Sequence, residues 1–176
     1  HLENYLTVIE QGKLGIAFAN SMLYAAAATI IVVVLSTAAA FVLSRNRSSR
    51  NRFFYFFLVL GLAIPINYVT LTKVMQATHL INTTVGIILL YAATKIPFAV
   101  FLIYAFIESV PKEIDEAAII DGCDPFRLFF VIIFPLLTPA WVTTAILSFL
   151  DFWSEFILPL YFLQSSAKWP MTLAVY

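Results

Sequence analysis

Asp151 and Glu155 stand four residues apart around Trp153, a spacing that would set both carboxylates on one face of a helix. Paired carboxylates are the raw material of general acid and base catalysis. That chemistry needs a nucleophile, a metal-ligand set or a perturbing cation beside the pair, and the neighbouring sequence supplies none. Tryptophan at the edge of an apolar stretch is an ordinary interfacial anchor, so the interfacial reading of this segment outweighs the catalytic one. Lys95 is the second candidate. It precedes Ile96 and Pro97 in the middle of an apolar run, where a lysine costs about 2.5 to 3.5 kcal/mol on insertion scales. Snorkelling, burial in a protein interface or a watery pathway would relieve that cost. His79 reads as a solvated loop residue. Cys123, the single cysteine, excludes an internal disulfide framework and reads as a reduced structural thiol.

The elements that carry these residues follow from composition. With 62% hydrophobic and 11% charged residues and a mean hydropathy of +0.94, a soluble fold of this length could not hide its apolar surface. Lipid must cover much of it. A bilayer core takes about 20 apolar residues per helical span, and clustering of the charges leaves four such windows: residues 21–43, 53–72, 85–107 and 128–150. Asn20 and Ser21 are candidate caps for the first, and its alanines at 25–28 and 38–40 permit close helix approach. Arg45, Arg47, Arg50 and Arg52 crowd the next loop and place it in the cytoplasm by the positive-inside rule. Pro65 and Asn67 fall within the second window, and the proline predicts a kink there. Residues 73–84 form a polar external connection. Pro135 and Pro139 interrupt the fourth window. The fold class is an all-α, polytopic membrane protein. A net charge of zero gives no indication of a nucleic-acid partner.

The segment 108–139 is polar yet patterned. Pro111 suits a first helical turn, Glu113, Asp115 and Glu116 suit the positive end of a helix, and Gly122 can adopt a left-handed cap. Asp124 and Pro125 restart the chain as N-cap and first helical residue. A helix, a glycine turn and a second helix running into the membrane are expected. Ile114, Ala117, Ala118 and Ile120 would be an unfavourable exposure on an aqueous loop. Docking in a partner's groove and packing on the chain's own spans explain them equally well.

The series Glu116-Ala117-Ala118, three residues, Gly122, nine residues, Ile132, two residues, Pro135 resembles the EAA signature of binding-protein-dependent ABC importers. Asp121 fits the pattern, and Phe134 replaces a customary leucine. The likeness extends over most of the chain and is nearest to the carbohydrate-importing, maltose-type permeases. Leu2-Glu3-Asn4-Tyr5, Asn20-Ser21, Asn82-Thr83 and Val110-Pro111-Lys112-Glu113 agree with it, as does Thr172-Leu173-Ala174-Val175. Trp153-Ser154-Glu155-Phe156 matches the family's Trp-Asn-Glu-Phe apart from one serine.

The resemblance implies one transmembrane permease domain over residues 1–176, with four of six spans visible, one falling before His1 and one after Tyr176. Residues 1–20 and 164–176 would be external and 108–127 a cytoplasmic coupling loop. Implied partners are a second homologous permease, two ATPase subunits, an extracytoplasmic solute-binding protein and the lipid of a bacterial or archaeal cytoplasmic membrane. No cofactor is expected on this chain, and ATP and Mg belong to the ATPase, since no Gly-x-x-x-x-Gly-Lys-Ser/Thr loop occurs. The chain is therefore expected to be a transport subunit and not an enzyme. Glu116 would make polar contacts to the ATPase, Ala117 and Ala118 would pack closely, and Gly122, beside Asp121, would aim the helix. Trp169, Pro170 and Thr172 would face the binding protein, and Pro65, Asn67, Lys95, Pro97 and Pro135 are candidates for the pathway or its gating. The substrate class implied is carbohydrate, with oligosaccharides, polyols and glycerophosphodiesters all open. An ion-coupled secondary transporter, with Lys95 as coupling residue, is the alternative. A membrane enzyme would need the missing partners of Asp151 and Glu155.

Overall fold

A computed structural model describes residues 13–46 and 48–176. The Leu2-Glu3-Asn4-Tyr5 match, the first twelve residues of the expected external segment and Arg47 lie outside the described residues.

A long run without proline or charge gives helix α1, Leu14–Arg45, of 32 residues, about 48 Å at 1.5 Å per residue. Asn20 and Ser21 lie inside it, so they are not its caps: nothing in residues 14–19 breaks a helix, and the turn starts from Lys13, whose carbonyl accepts from Ile16 and Ala17. The second window is not one kinked helix. Helix α2, Ser49–Leu60, opens on Ser48, whose side chain accepts from the Asn51 N–H. Helix α3, Tyr68–Ala77, opens on Asn67, whose side chain accepts from the Thr70 N–H at 3.0 Å. Pro65 lies in the non-helical link between them. The expected external connection is therefore helical as far as Ala77, and it ends in a turn with His79 at φ 55.

Helix α4, Thr84–Glu108, runs continuously through Pro97 and matches the third window. The fourth window is divided. Helix α5 (Glu113–Ile120) and α6 (Pro125–Arg127) lead into a π-helical stretch, Leu128–Ile133, followed by α7 (Phe134–Leu136) and α8 (Thr138–Ser154). A proline ring clashes with the carbonyl four residues earlier, and a widened π turn ahead of Pro135 gives that carbonyl room. The two arms, Pro125–Leu136 and Thr138–Ser154, bend by 75° between Pro135 and Pro139. Two described helices, α1 and α4, are long and apolar enough to cross a membrane by themselves, and a third crossing results if the bent pair is one span. The short helices α9 (Ile157–Phe162) and α10 (Met171–Ala174) close the chain.

The described residues form two compact units, residues 13–30, 66–94 and 147–176 in the first and 31–65 with 95–146 in the second. The first buries Tyr24, Ala25, Ala28, Ile87, Tyr91 and Phe162. The second buries Ala40, Val100, Ile103, Ile107, Ala118, Leu128, Ile133, Leu137 and Ala140 as one cluster. Gly61 permits a close approach there: a Cβ on it would lie 3.0 Å from both the Leu58 carbonyl and the Pro97 ring.

In the first unit the segment after α9 is held through its backbone. Asn82, at φ 56, donates its N–H to the Phe162 carbonyl at 2.9 Å, and its Oδ1 accepts from the Gln164 and Ser165 N–H groups. Its own carbonyl accepts from the Lys168 ammonium. Asn20 donates to the Ala167 and Trp169 carbonyls, Tyr24 to that of Lys168, and the Ser21 hydroxyl accepts from the Met171 N–H at 2.7 Å. A segment whose only regular element is the three-residue 3₁₀ turn Ser166–Lys168 must satisfy the rest of its backbone this way.

Candidate functional site

Helix α5 is eight residues long with three acids in its first turn, Glu113, Asp115 and Glu116, where they complement the helix dipole. It ends as its sequence implies. Gly122 adopts φ +79, a conformation that glycine enters without the penalty a Cβ brings, and its N–H donates to the Ile119 carbonyl at 3.0 Å. Asp124 then caps α6, its Oδ1 accepting from the N–H groups of Phe126 and Arg127 at 3.0 and 3.1 Å.

The two faces of α5 differ. Asp115 and Ala118, three residues apart, turn inward and are 8% and 7% exposed. Ala118 belongs to the apolar cluster of its own unit and is not available for the close packing expected of both alanines against a partner, whereas Ala117 is exposed. Glu116, Ala117, Asp121 and Gly122 are exposed. So are Ile119 and Ile120, at 60% and 83%. Phe126 beyond the turn is also exposed. These exposed apolar side chains stand together within a segment rich in charges.

Arg45 fixes the inner face. Its Nε lies 2.6 Å from Asp115 Oδ2, one Nη donates to Asp115 Oδ1 at 3.3 Å and the other to the Val110 carbonyl at 3.2 Å. The two side chains are 14% and 11% exposed. Sequence reasoning used Arg45 only for orientation and Asp115 only for the helix dipole. The face that Asp115 shares with Ala118 and the place of Arg45 at the end of the first apolar run do not by themselves point to each other.

The other candidates are placed as follows. Asn67 uses its side-chain oxygen as a helix cap. Lys95 is half-buried, with its ammonium 4.7 Å from the centroid of the Phe98 ring, a cation–π arrangement within its own helix. Pro97 and Gly61 meet in the second unit, and Pro135 flanks the 75° bend. Trp169, Pro170 and Thr172 do not present an open surface. Pro170 is buried, the Trp169 indole donates to the Leu163 carbonyl at 3.1 Å, and the Thr172 hydroxyl donates to the Glu155 carbonyl at 2.8 Å. Gln164, Ser166, Ala167, Val175 and Tyr176 are the exposed residues of the segment 164–176.

Glu155 caps α9, its Oε1 accepting from the Ile157 and Leu158 N–H groups, and Trp153 packs edge-on against Phe18. A carboxylate so occupied is a structural cap. No cluster of metal-ligating side chains occurs among the described residues. A cavity of about 470 Å³ that sequence reasoning missed is lined by Leu43, Arg52, Tyr55, Phe56, Tyr104 and Glu108, with the Tyr55 and Tyr104 rings stacked 4.1 Å apart.

Comparison with known proteins identifies the family. The diacetylchitobiose uptake system permease protein NgcG of Streptomyces coelicolor is 35% identical over 172 residues, which cover 97% of this chain and 57% of NgcG. The multiple sugar-binding transport system permease protein MsmG of Streptococcus mutans is 40% identical over 123 residues, covering 68% of this chain and 44% of MsmG. The chain thus spans about half the length of these relatives. The crystal structure of a bacterial ABC transporter involved in import of the acidic polysaccharide alginate shares the fold, with a TM-score of 0.89 at 21% identity over 96% of this chain and 60% of that one. Residues 33–175, from the C-terminal part of α1 through α10, match the binding-protein-dependent transport system inner membrane component family, and the chain belongs to that family.

Proposed function

We propose that this chain is the permease subunit of an ATP-driven carbohydrate importer and that α5 docks on a separate ATPase. The observation that carries the proposal is the two-faced character of α5. Asp115 and Ala118 anchor it to its own unit, while Glu116, Ala117, Ile119 and Ile120 stand exposed beside a glycine turn. An anchored short helix with an exposed apolar and acidic face suits a groove on another protein. It can pass movement of that protein into the helices to which it is tied.

Carbohydrate is the substrate class supported by relatives whose names refer to diacetylchitobiose and multiple sugars. A second, homologous permease would complete the pathway, two ATPase subunits would bind and hydrolyse ATP with Mg, and an extracytoplasmic binding protein would deliver the solute. The bilayer would be the cytoplasmic membrane of a bacterium or archaeon, with the arginines at 45–52 on the cytoplasmic side.

Glu116→Ala and Gly122→Val in the reconstituted complex test the proposal. A β-branched residue at φ +79 is strained and re-aims the turn, and ATP-driven sugar uptake is expected to fall about tenfold in each variant, the effect of losing roughly 1.4 kcal/mol of contact. Uptake unaltered by both changes would exclude docking through this face.

A further inference from the structure

We infer that Arg45 is a positioning residue for transport: its fork to Asp115 and Val110 is the link that carries movement of α5 into α1. The inference rests on the docking role proposed for α5. Arg45 is the last residue of the 32-residue helix α1, so its side chain ends a long rigid element. Its guanidinium grips both the chain entering α5, at the Val110 carbonyl, and α5 itself, at both carboxylate oxygens of Asp115.

Apolar contacts such as those of Ala118 resist separation but permit sliding. A planar guanidinium that donates to a carboxylate with one Nη and to a backbone carbonyl with the other fixes direction as well as distance. Lysine, a point charge with no fork, cannot reproduce it. Stability alone does not demand this pair, because a buried ion pair replaced by apolar groups of similar volume is often neutral or better. What an apolar replacement loses is direction, and direction is what a mechanical link needs. The exposed face of α5 is free for a partner because the inner face is held in this manner.

The test uses the complete permease and ATPase complex in vesicles and reads solute imported per ATP hydrolysed. Three variants are compared, Arg45→Lys, Asp115→Asn and the double change Arg45→Met with Asp115→Leu, with Asp115→Glu as the conservative control. Arg50 and Arg52 keep the orientation signal in every variant. Assembly and basal ATP hydrolysis are expected to persist, while solute imported per ATP falls about tenfold in the three variants, within the usual range of a coupling free energy. Asp115→Glu, which retains the carboxylate, is expected to keep most of the coupling.

Wild-type coupling in Arg45→Lys and in the double variant would overturn the inference and leave the docking role standing. Assembly, hydrolysis and import declining together in all three would also overturn it, since that is the mark of a purely structural pair. A wild-type complex with no ATP-driven import would overturn the docking role and this inference with it.

Discussion

Gly86→Ala is expected to lower the stability of the folded chain by about 3 kcal/mol, the upper part of the range for overpacking. A Cβ at position 86 would lie 2.2 Å from the Leu80 carbonyl oxygen and 2.7 Å from Thr83 Oγ1. Neither atom can move cheaply. The Leu80 oxygen is backbone and accepts from the Thr83 hydroxyl at 2.7 Å, and that hydroxyl accepts from the Gly86 N–H at 2.9 Å. Thr83 is thus the cap of α4, and the clash falls on the cap itself. Gly15→Ala is the control, because a Cβ there meets nothing within 4 Å and alanine is the better helix former. The measurement is the midpoint of heat-induced loss of monodisperse protein in detergent. A fall for Gly86→Ala with no fall for Gly15→Ala is expected, and equal midpoints would contradict the packing at the start of α4.

Ala117→Trp is expected to abolish transport without unfolding the chain. Ala117 is exposed, so an indole there extends from the surface and leaves the buried cluster of its unit undisturbed. In a groove that receives this face, the added bulk costs about 3 kcal/mol, a factor on the order of 100 in affinity. Ala118→Trp separates the two environments, since Ala118 is 7% exposed within the apolar cluster and a large ring there disrupts the chain's own core. Co-purification of the ATPase subunits and thermal stability, measured side by side, are expected to split accordingly. Ala117→Trp loses the partner and keeps the melting behaviour, whereas Ala118→Trp loses both.

Much of this arrangement is legible in the residues because several signals are local. The glycine turn at Gly122 and the Asp124-Pro125 cap depend on neighbours within four residues, and the structure has φ +79 at the one and two N–H groups on the other. The span of α4 is legible for the same reason, a long apolar run broken only by Lys95 and preceded by Asn82 and Thr83. Helix division was harder to read. Hydropathy does not distinguish one kinked helix over 53–72 from two helices, and the restart depends on Asn67 bonding forward to Thr70. The π-helical stretch and the 75° bend depend on how Pro135 and Pro139 act together, where the sequence marks only an interruption.

Long-range pairings were the least visible. Asn20, Ser21 and Tyr24 look like the start of a helix, yet they satisfy the backbone of residues about 145 to 150 further on. That demand arises only once the segment after α9 is folded without a regular ladder of its own. Trp169 and Thr172 turned inward for the same reason, because their polar atoms satisfy the Leu163 and Glu155 carbonyls. Arg45 and Asp115 lie 70 residues apart, and their types alone carry an orientation signal and a helix-dipole preference that hide the pairing.

Site-directed cross-linking from α5 to the ATPase subunit tests the central claim most directly. Cys123, the single cysteine, is replaced by serine, and a cysteine is placed in turn at Glu116, Ile120 and Ala118 against cysteines along the ATPase groove. Cross-links are expected from positions 116 and 120, whose residues are exposed, and none from position 118, which faces the chain's own core. Cross-links from none of these positions, or from position 118 alone, would contradict docking through the outer face of α5.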